Sequence, residues 1–224
     1  MKERIVLTVV VCLVSLAYDL PCKGQADDEL KRFEAAVLFS SITKPEFSGT
    51  TADAGFGGRL TFNLNRSIAL ETEGIFFPSR CTGCRPENRG RLTQFFAGVK
   101  AGKRFDQFGI FFKARPGLAS FSDGGNRITF IPIAAGQFPF IPLILFDSQR
   151  KTNFATDLGV AVEIYHSKRI FTRFDAGDTI IRYSDRQAIF FNLDPAGNVF
   201  PVQVKLPNKT LHNFQFSASV GFRF

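Results

Sequence analysis

The last eleven residues, Phe214–Phe224, read Phe-Gln-Phe-Ser-Ala-Ser-Val-Gly-Phe-Arg-Phe. Phe214, Phe216, Ala218, Val220, Phe222 and Phe224 fall on one parity, and Gln215, Ser217, Ser219, Gly221 and Arg223 on the other. A period of two puts successive side chains on opposite faces of a strand, so this segment has one apolar face without a charge and one polar face. An amphipathic edge strand of a soluble sheet is the lesser reading of this segment taken alone. The rest of the chain repeats the pattern, and that repetition is what limits the fold.

The first such segment runs from Phe33 to about Ile42, with Phe33, Ala35, Val37 and Phe39 opposite Glu34, Ala36, Leu38 and Ser40. The second sets Phe56, Leu60, Phe62 and Leu64 against Gly57, Arg59, Thr61 and Asn63, and the third sets Ile68, Leu70 and Phe76 against Ala69, Glu71 and Glu73. The fourth covers about Leu92–Lys103 and the fifth Phe108–Arg115, where Pro116 predicts a bulge or the strand's end because it cannot donate to a ladder. The sixth alternates over Phe154–Ile164 and the seventh over Ile170–Gly177. With the terminal segment this makes eight strands. Short turns follow the second, fourth and sixth (Asn65-Arg66-Ser67, Arg104–Gln107, His166-Ser167-Lys168), and long links follow the first, third, fifth and seventh. In the last long link, Asp194-Pro-Ala-Gly197 suits the turn of a small hairpin.

The chain of 224 residues suits one domain plus a targeting segment. Lys2 and Arg4, the apolar run Ile5–Ala17 and the small residues Gly24-Gln25-Ala26 read as a secretory signal over residues 1–26, a short periplasmic lead follows over 27–32, and 33–224 form the folded domain. Loss of the signal takes three bases and two acids, leaving about +7 of the formal +8 charge. Past the signal no apolar run is long enough for a spanning helix. A spanning strand needs only alternate apolar residues, which fits an ordinary hydrophobic content of 45%. The 28 phenylalanines and absent tryptophan supply apolar surface but depart from the Trp/Tyr girdles expected at a membrane interface.

The terminal strand ending on Phe224, the segment Gly98-Val99-Lys100-Ala101-Gly102 followed by Phe108-Gly109-Ile110, and the short–long alternation of links resemble small bacterial outer-membrane barrels of the outer-membrane protein A-like type. The resemblance covers most of 33–224. It implies an all-β fold, an eight-stranded antiparallel up-and-down transmembrane β-barrel, in the outer membrane of a Gram-negative bacterium. It also implies that Phe222 and Phe224 form a signal read by the barrel-insertion machinery, and that outer-membrane lipid and lipopolysaccharide surround the protein. It says little about a specific role.

Alternation alone does not say which face is inside, since a lipocalin-like soluble barrel encloses its apolar face. Charge decides between them. The polar parity holds Glu34, Glu71, Glu73, Asp157, Glu163 and Asp175 against Arg59, Lys100, Lys113, Arg115, Arg173 and Arg223, six acids and six bases. A solvated exterior needs no such balance. A narrow closed interior does, because unpaired charges there cost several kcal/mol each. These twelve are therefore read as an ion-pair plug inside the barrel, in preference to a pore lining or to Glu71 and Glu73 as a catalytic pair.

Cys81 and Cys84 are the only cysteines after the signal and read as a local disulfide of an exported protein; without a nearby His or a second Cys pair they make half a zinc site, so no metal or cofactor is expected. His212 enters the last strand at the outer rim, near Ser184 and Asp185 at the end of the seventh, where a lipid-modifying hydrolase would need a nucleophile, a base and an acid. No local motif sets that arrangement, and no catalytic residue is assigned. Arg80, Arg85, Arg89 and Arg91 with Glu87 make the second long link basic, suited either to lipopolysaccharide phosphates or simply to solvent. Scattered positive charge on an exported chain gives no basis for nucleic-acid binding. The third long link, about 121–152, is apolar and proline-rich. It is expected to fold over the barrel mouth, the other readings being an extension of strands five and six or contact with an extracellular partner. The function expected is non-enzymatic, in envelope structure or surface contact. A rim hydrolase and a soluble periplasmic binder stand as the alternatives.

Overall fold

The computed structural model describes residues 31–45, 49–81, 90–131, 143–193 and 199–224. Residues 1–26, read above as a secretory signal, and Cys84 lie outside them. Ten strands follow in order: β1 (Phe33–Pro45), β2 (Thr50–Asn63), β3 (Ile68–Cys81), β4 (Gly90–Arg104), β5 (Phe108–Ile131), β6 (Leu143–Tyr165), β7 (Ile170–Tyr183), β8 (Arg186–Leu193), β9 (Val199–Leu206) and β10 (Lys209–Arg223). Eight of them close an antiparallel barrel in chain order, with β10 pairing β7 on one side and β1 on the other. Strands β8 and β9 form a separate two-stranded sheet within the last long link, on either side of the expected turn.

The short turns are held by side chains that cap them. Asn65 Oδ1 accepts from the backbone N–H of Ser67 and of Ile68, both at 2.8 Å. Ser167 Oγ plays the same part for Arg169 and Ile170, at 3.2 and 3.0 Å.

At the opposite end the strands run further than the sequence pattern suggests. β1 and β2 stay paired up to Pro45↔Thr50, so the first link is short rather than long. Lys44 and Asp53 explain this overshoot, because both are buried there and pair at 2.5 Å. β5 and β6 continue past an irregularity between Phe121 and Gly125 into a ladder from Gly125↔Gln149 to Ile131↔Leu143. This corrects the expectation that the third link folds over the mouth. Its prolines, Pro132, Pro139 and Pro142, all fall between the two strands, so none interrupts the ladder. Pro116 neither bulges nor ends β5. It stays in register with Thr156 of β6, and only the pairing toward β4 lapses beside it.

The faces sort by chemistry. Val37, Phe39 and Phe112 on the outside are 70%, 70% and 69% exposed, with Phe33, Phe56, Leu60, Phe95, Phe154 and Phe214 around them also exposed. Inside, Arg115, Asp157, Lys100 and Glu163 are fully buried. A lipocalin-like interior is the reverse of this, so the soluble-binder alternative does not describe the barrel. Above the charges, toward the long links, the lumen changes character: Leu38, Ile42, Ile75, Phe77, Leu92, Phe96, Phe121, Ile181 and Tyr183 form an apolar layer.

Close strand contact depends on glycine where β6 meets β7. Gly159 pairs with Gly177, and a Cβ on Gly159 would lie 2.4 Å from the carbonyl oxygen of Ala176. Gly58 faces outward, and its added Cβ would meet nothing nearer than 3.7 Å. Gly159→Val is therefore expected to destabilise the barrel by roughly 2 kcal/mol, while Gly58→Ala stays within about 0.5 kcal/mol. Urea titration of the lipid-folded variants measures both.

Candidate functional site

The candidate site is the charged section of the lumen, to which every barrel strand contributes a polar side chain. Arg115 on β5 sits at its centre. Its guanidinium donates to Asp157 Oδ2 on β6 at 2.5 and 2.9 Å and to the two oxygens of Glu73 on β3 at 2.9 and 3.0 Å. Arg59 on β2 donates from Nε to Glu73 Oε2 at 2.6 Å and from Nη2 to Asp175 Oδ2 on β7 at 2.8 Å, crossing the lumen. Arg173 on β7 reaches back across to both oxygens of Glu71 and also holds Asp175 Oδ1 at 2.7 Å. These fork-shaped contacts fix two oxygens at once, which a point charge on lysine would not.

Two lysines complete the centre. Lys100 Nζ donates to Glu163 Oε1 at 2.6 Å and lies 3.5 Å from Glu71. Lys113 Nζ is 3.0 Å from Asp157 and 3.6 Å from Asp175. Toward the short turns, Glu34 takes Arg104 at 3.2 Å and Arg223 at 3.3 Å. The Arg223 guanidinium also stacks 3.8 Å from the Tyr165 ring centroid, and the Tyr165 hydroxyl donates to Glu163 Oε2 at 3.0 Å. Desolvating each of these ions would cost several kcal/mol if it stood alone, and the mutual contacts offset that cost.

All twelve residues of the balanced set thus line one lumen. The structure adds members that the balance alone does not name. Arg104 belongs to a turn in the sequence pattern, yet it joins Glu34 and Glu163. Ser40, Gln215, Ser217 and Thr179 form a neutral polar patch, with Gln215 Nε2 donating to Ser40 Oγ at 3.0 Å and Thr179 Oγ1 donating to Gln215 Oε1 at 2.8 Å. Parity marks all four, but only register shows which of them meet. Glu71 and Glu73 have no free oxygen for general-base work, since guanidinium groups occupy all four.

The rim residues do not assemble as the sequence pattern allows. His212 Nδ1 lies 2.5 Å from Asp178 Oδ2, one strand over on the outward face, and not against Asp185. Asp178 also accepts from the Asn213 backbone N–H at 3.0 Å. Asp185 instead pairs with Lys205 of β9 at 2.8 Å, and that hydrogen bond holds its carboxyl below the usual range. The Ser184 backbone N–H donates to Asn153 Oδ1 at 3.5 Å, and its carbonyl accepts from Lys151. Among the described residues no hydroxyl hydrogen-bonds to His212. His166 pairs with Thr172 at 2.7 Å beside a short turn. The Cys81–Cys84 pairing lies outside the described residues. Phe222 and Phe224 stack edge to face at 5.1 Å where β10 closes on β1. No group of three or more potential metal ligands occurs among the described residues.

No protein-family model and no curated protein matches the chain. Among solved structures, it is similar to Neisserial surface protein A at 12% identity and a TM-score of 0.46, over 86% of this chain and 97% of that one. The attachment invasion locus protein Ail of Yersinia pestis aligns at 7% identity and 0.45, over 87% and 100%. The N-terminal β-barrel domain of Pseudomonas aeruginosa OprF aligns at 14% and 0.37, over 84% and 97%.

Removing Arg115 leaves Glu73 and Asp157 buried with only part of their compensation. Arg115→Leu is expected to cost about 3–5 kcal/mol, read as a shift of the denaturant midpoint in folded proteoliposomes.

Proposed function

We propose that this chain is an integral outer-membrane β-barrel protein of a Gram-negative envelope, exported by its N-terminal signal and inserted through its terminal Phe222–Phe224 strand. The short turns face the periplasm and the extended hairpins face outward. Its twelve-residue ion-paired interior, Glu34 to Arg223, acts as a closed plug, and the protein works without catalysis, in envelope structure or through contacts made by its outer hairpins.

One observation carries this reading: phenylalanine, leucine and valine side chains cover the outside of a closed barrel whose inside is filled with ions. In water, that exterior would leave far more contiguous apolar surface exposed than a soluble monomer tolerates. In lipid it is the favourable arrangement, because a closed ladder leaves no backbone group unpaired. The eight-stranded lumen is only wide enough for its own side chains, which argues against solute transport.

The rim-hydrolase alternative draws on the His212–Asp178 contact, an imidazole oriented by a carboxylate. It needs a nucleophile, and among the described residues no hydroxyl hydrogen-bonds to His212; Ser184 meets Asn153 and Lys151 through its backbone alone.

Three outcomes are expected. In planar bilayers the folded protein produces no discrete conductance steps; steady channels would refute the plug. With Cys81 and Cys84 replaced by serine, an impermeant maleimide labels Asn208→Cys on intact cells and leaves Ser67→Cys unlabelled; the opposite pattern would reverse the orientation. His212→Ala leaves the acylation of membrane glycolipid unchanged, whereas a change in acyl chain number would reinstate the enzyme.

A further inference from the structure

The outward face of β3–β6, at the end where the long links emerge, is ordered in rows. Register pairs Phe95 with Leu118 and Leu118 with Phe154, giving a row of apolar side chains that are 55%, 49% and 54% exposed. One step further out, Thr93, Ser120 and Thr152 are side by side, with Thr152 Oγ1 donating to Ser120 Oγ at 3.1 Å. The next step follows from the pairs Cys81↔Gly90, Leu92↔Phe121 and Phe121↔Lys151. It sets Arg80 across from Arg91, whose backbone N–H donates to Ser122 Oγ at 2.9 Å, and it places Arg150 on β6 across from the irregular segment 122–124 of β5.

Arg80, Arg91 and Arg150 are all exposed, and among the described residues no carboxylate pairs with any of them. In the chain Glu87 precedes Arg91 by four residues and Asp147 precedes Arg150 by three, and the Asp123 carboxylate lies beside Gly90. Like charges directly across neighbouring strands repel. With strands about 4.8 Å apart, Arg91 and Arg150 stand roughly 10 Å from each other at the backbone. That span suits a phosphorylated headgroup gripped from both sides, since guanidinium forks bind phosphate by paired hydrogen bonds. The hydroxyl row below offers donors and acceptors to a sugar or glycerol, and the phenylalanine row offers a surface for acyl chains.

We infer that the arginine row Arg80–Arg91–Arg150, with the hydroxyl and apolar rows beneath it, is a binding site for a phosphate-bearing acylated saccharide of the outer leaflet. The inference rests on the membrane-barrel reading above, and it names the lipid partner and the face that holds it. The site differs from a merely basic loop, because Arg150 comes from a different link and joins the row only through strand register.

The test uses the full mature chain folded into phosphatidylcholine vesicles doped with a bisphosphorylated acylated glucosamine disaccharide or with its dephosphorylated form. Lipid retained by the protein after detergent extraction is counted by mass spectrometry. The unaltered chain is expected to retain the phosphorylated lipid at least tenfold over the dephosphorylated one. The variant Arg80→Gln/Arg91→Gln/Arg150→Gln should lose that preference, while Arg32→Gln/Lys103→Gln/Arg169→Gln, at the short-turn end, keeps it. Equal retention by the two triple variants, or equal uptake of both lipids by the unaltered chain, overturns the site and leaves the barrel standing. Failure of the unaltered chain to float with the vesicles overturns the membrane reading and the site together.

Discussion

Ion pairing inside a closed sheet is the constraint on which the rest of this structure depends. Among the described residues seven carboxylates are held in a lumen that water reaches poorly, and each one is met by at least one cation from another strand. Many of these contacts cross the lumen, so register is fixed by chemistry as well as by turns. A slip of one residue would carry a strand's charges to the outside and its phenylalanines in among the ions. The pattern of period two is therefore enforced from within. Glycines such as Gly159 and Gly177 let the backbones approach closely enough for the long side chains to meet in the middle.

Much of this was legible in the sequence, and the limits have physical causes. Alternation around Phe214–Phe224 and its seven predecessors identifies strands because side-chain direction is a local property. The balance of Glu34, Glu71 and their partners assigns a face because desolvation does not depend on which pairs form. Pairing itself is not local: nothing near Arg59 in the chain indicates Asp175, which lies on the other side of the lumen. The apolar layer was hidden for a related reason. Leu38, Phe77 and Phe96 share the parity of the charges, and only their height in the barrel separates them. Strand ends were also misjudged. Lys44 and Pro45 look like loop residues, yet the buried Lys44–Asp53 pair draws them into the ladder. Pro116 looks like a breaker, but only its pairing toward β4 is lost.

The lumen is thus divided along its length. Most of the ions fill the section nearer the short turns, and aromatic and aliphatic side chains, with the buried Lys44–Asp53 pair among them, close the section nearer the hairpins. A solute would have to break a guanidinium–carboxylate network and then pass an apolar layer, two barriers of opposite chemistry. The proposed function accordingly lies outside the lumen, at the hairpins β5–β6 and β8–β9 and at the rim where arginines, hydroxyls and apolar side chains succeed one another in rows.

The central claim is that this sheet faces lipid with its apolar side while its charges are sealed within. Migration on a detergent gel, unheated against boiled, tests it most directly when inner and outer membranes are separated beforehand. A closed barrel keeps every strand paired and resists detergent until heated. The account predicts recovery in the outer-membrane fraction, with an unheated band displaced from the boiled one. Recovery in the soluble periplasm with a single band under both treatments would contradict it.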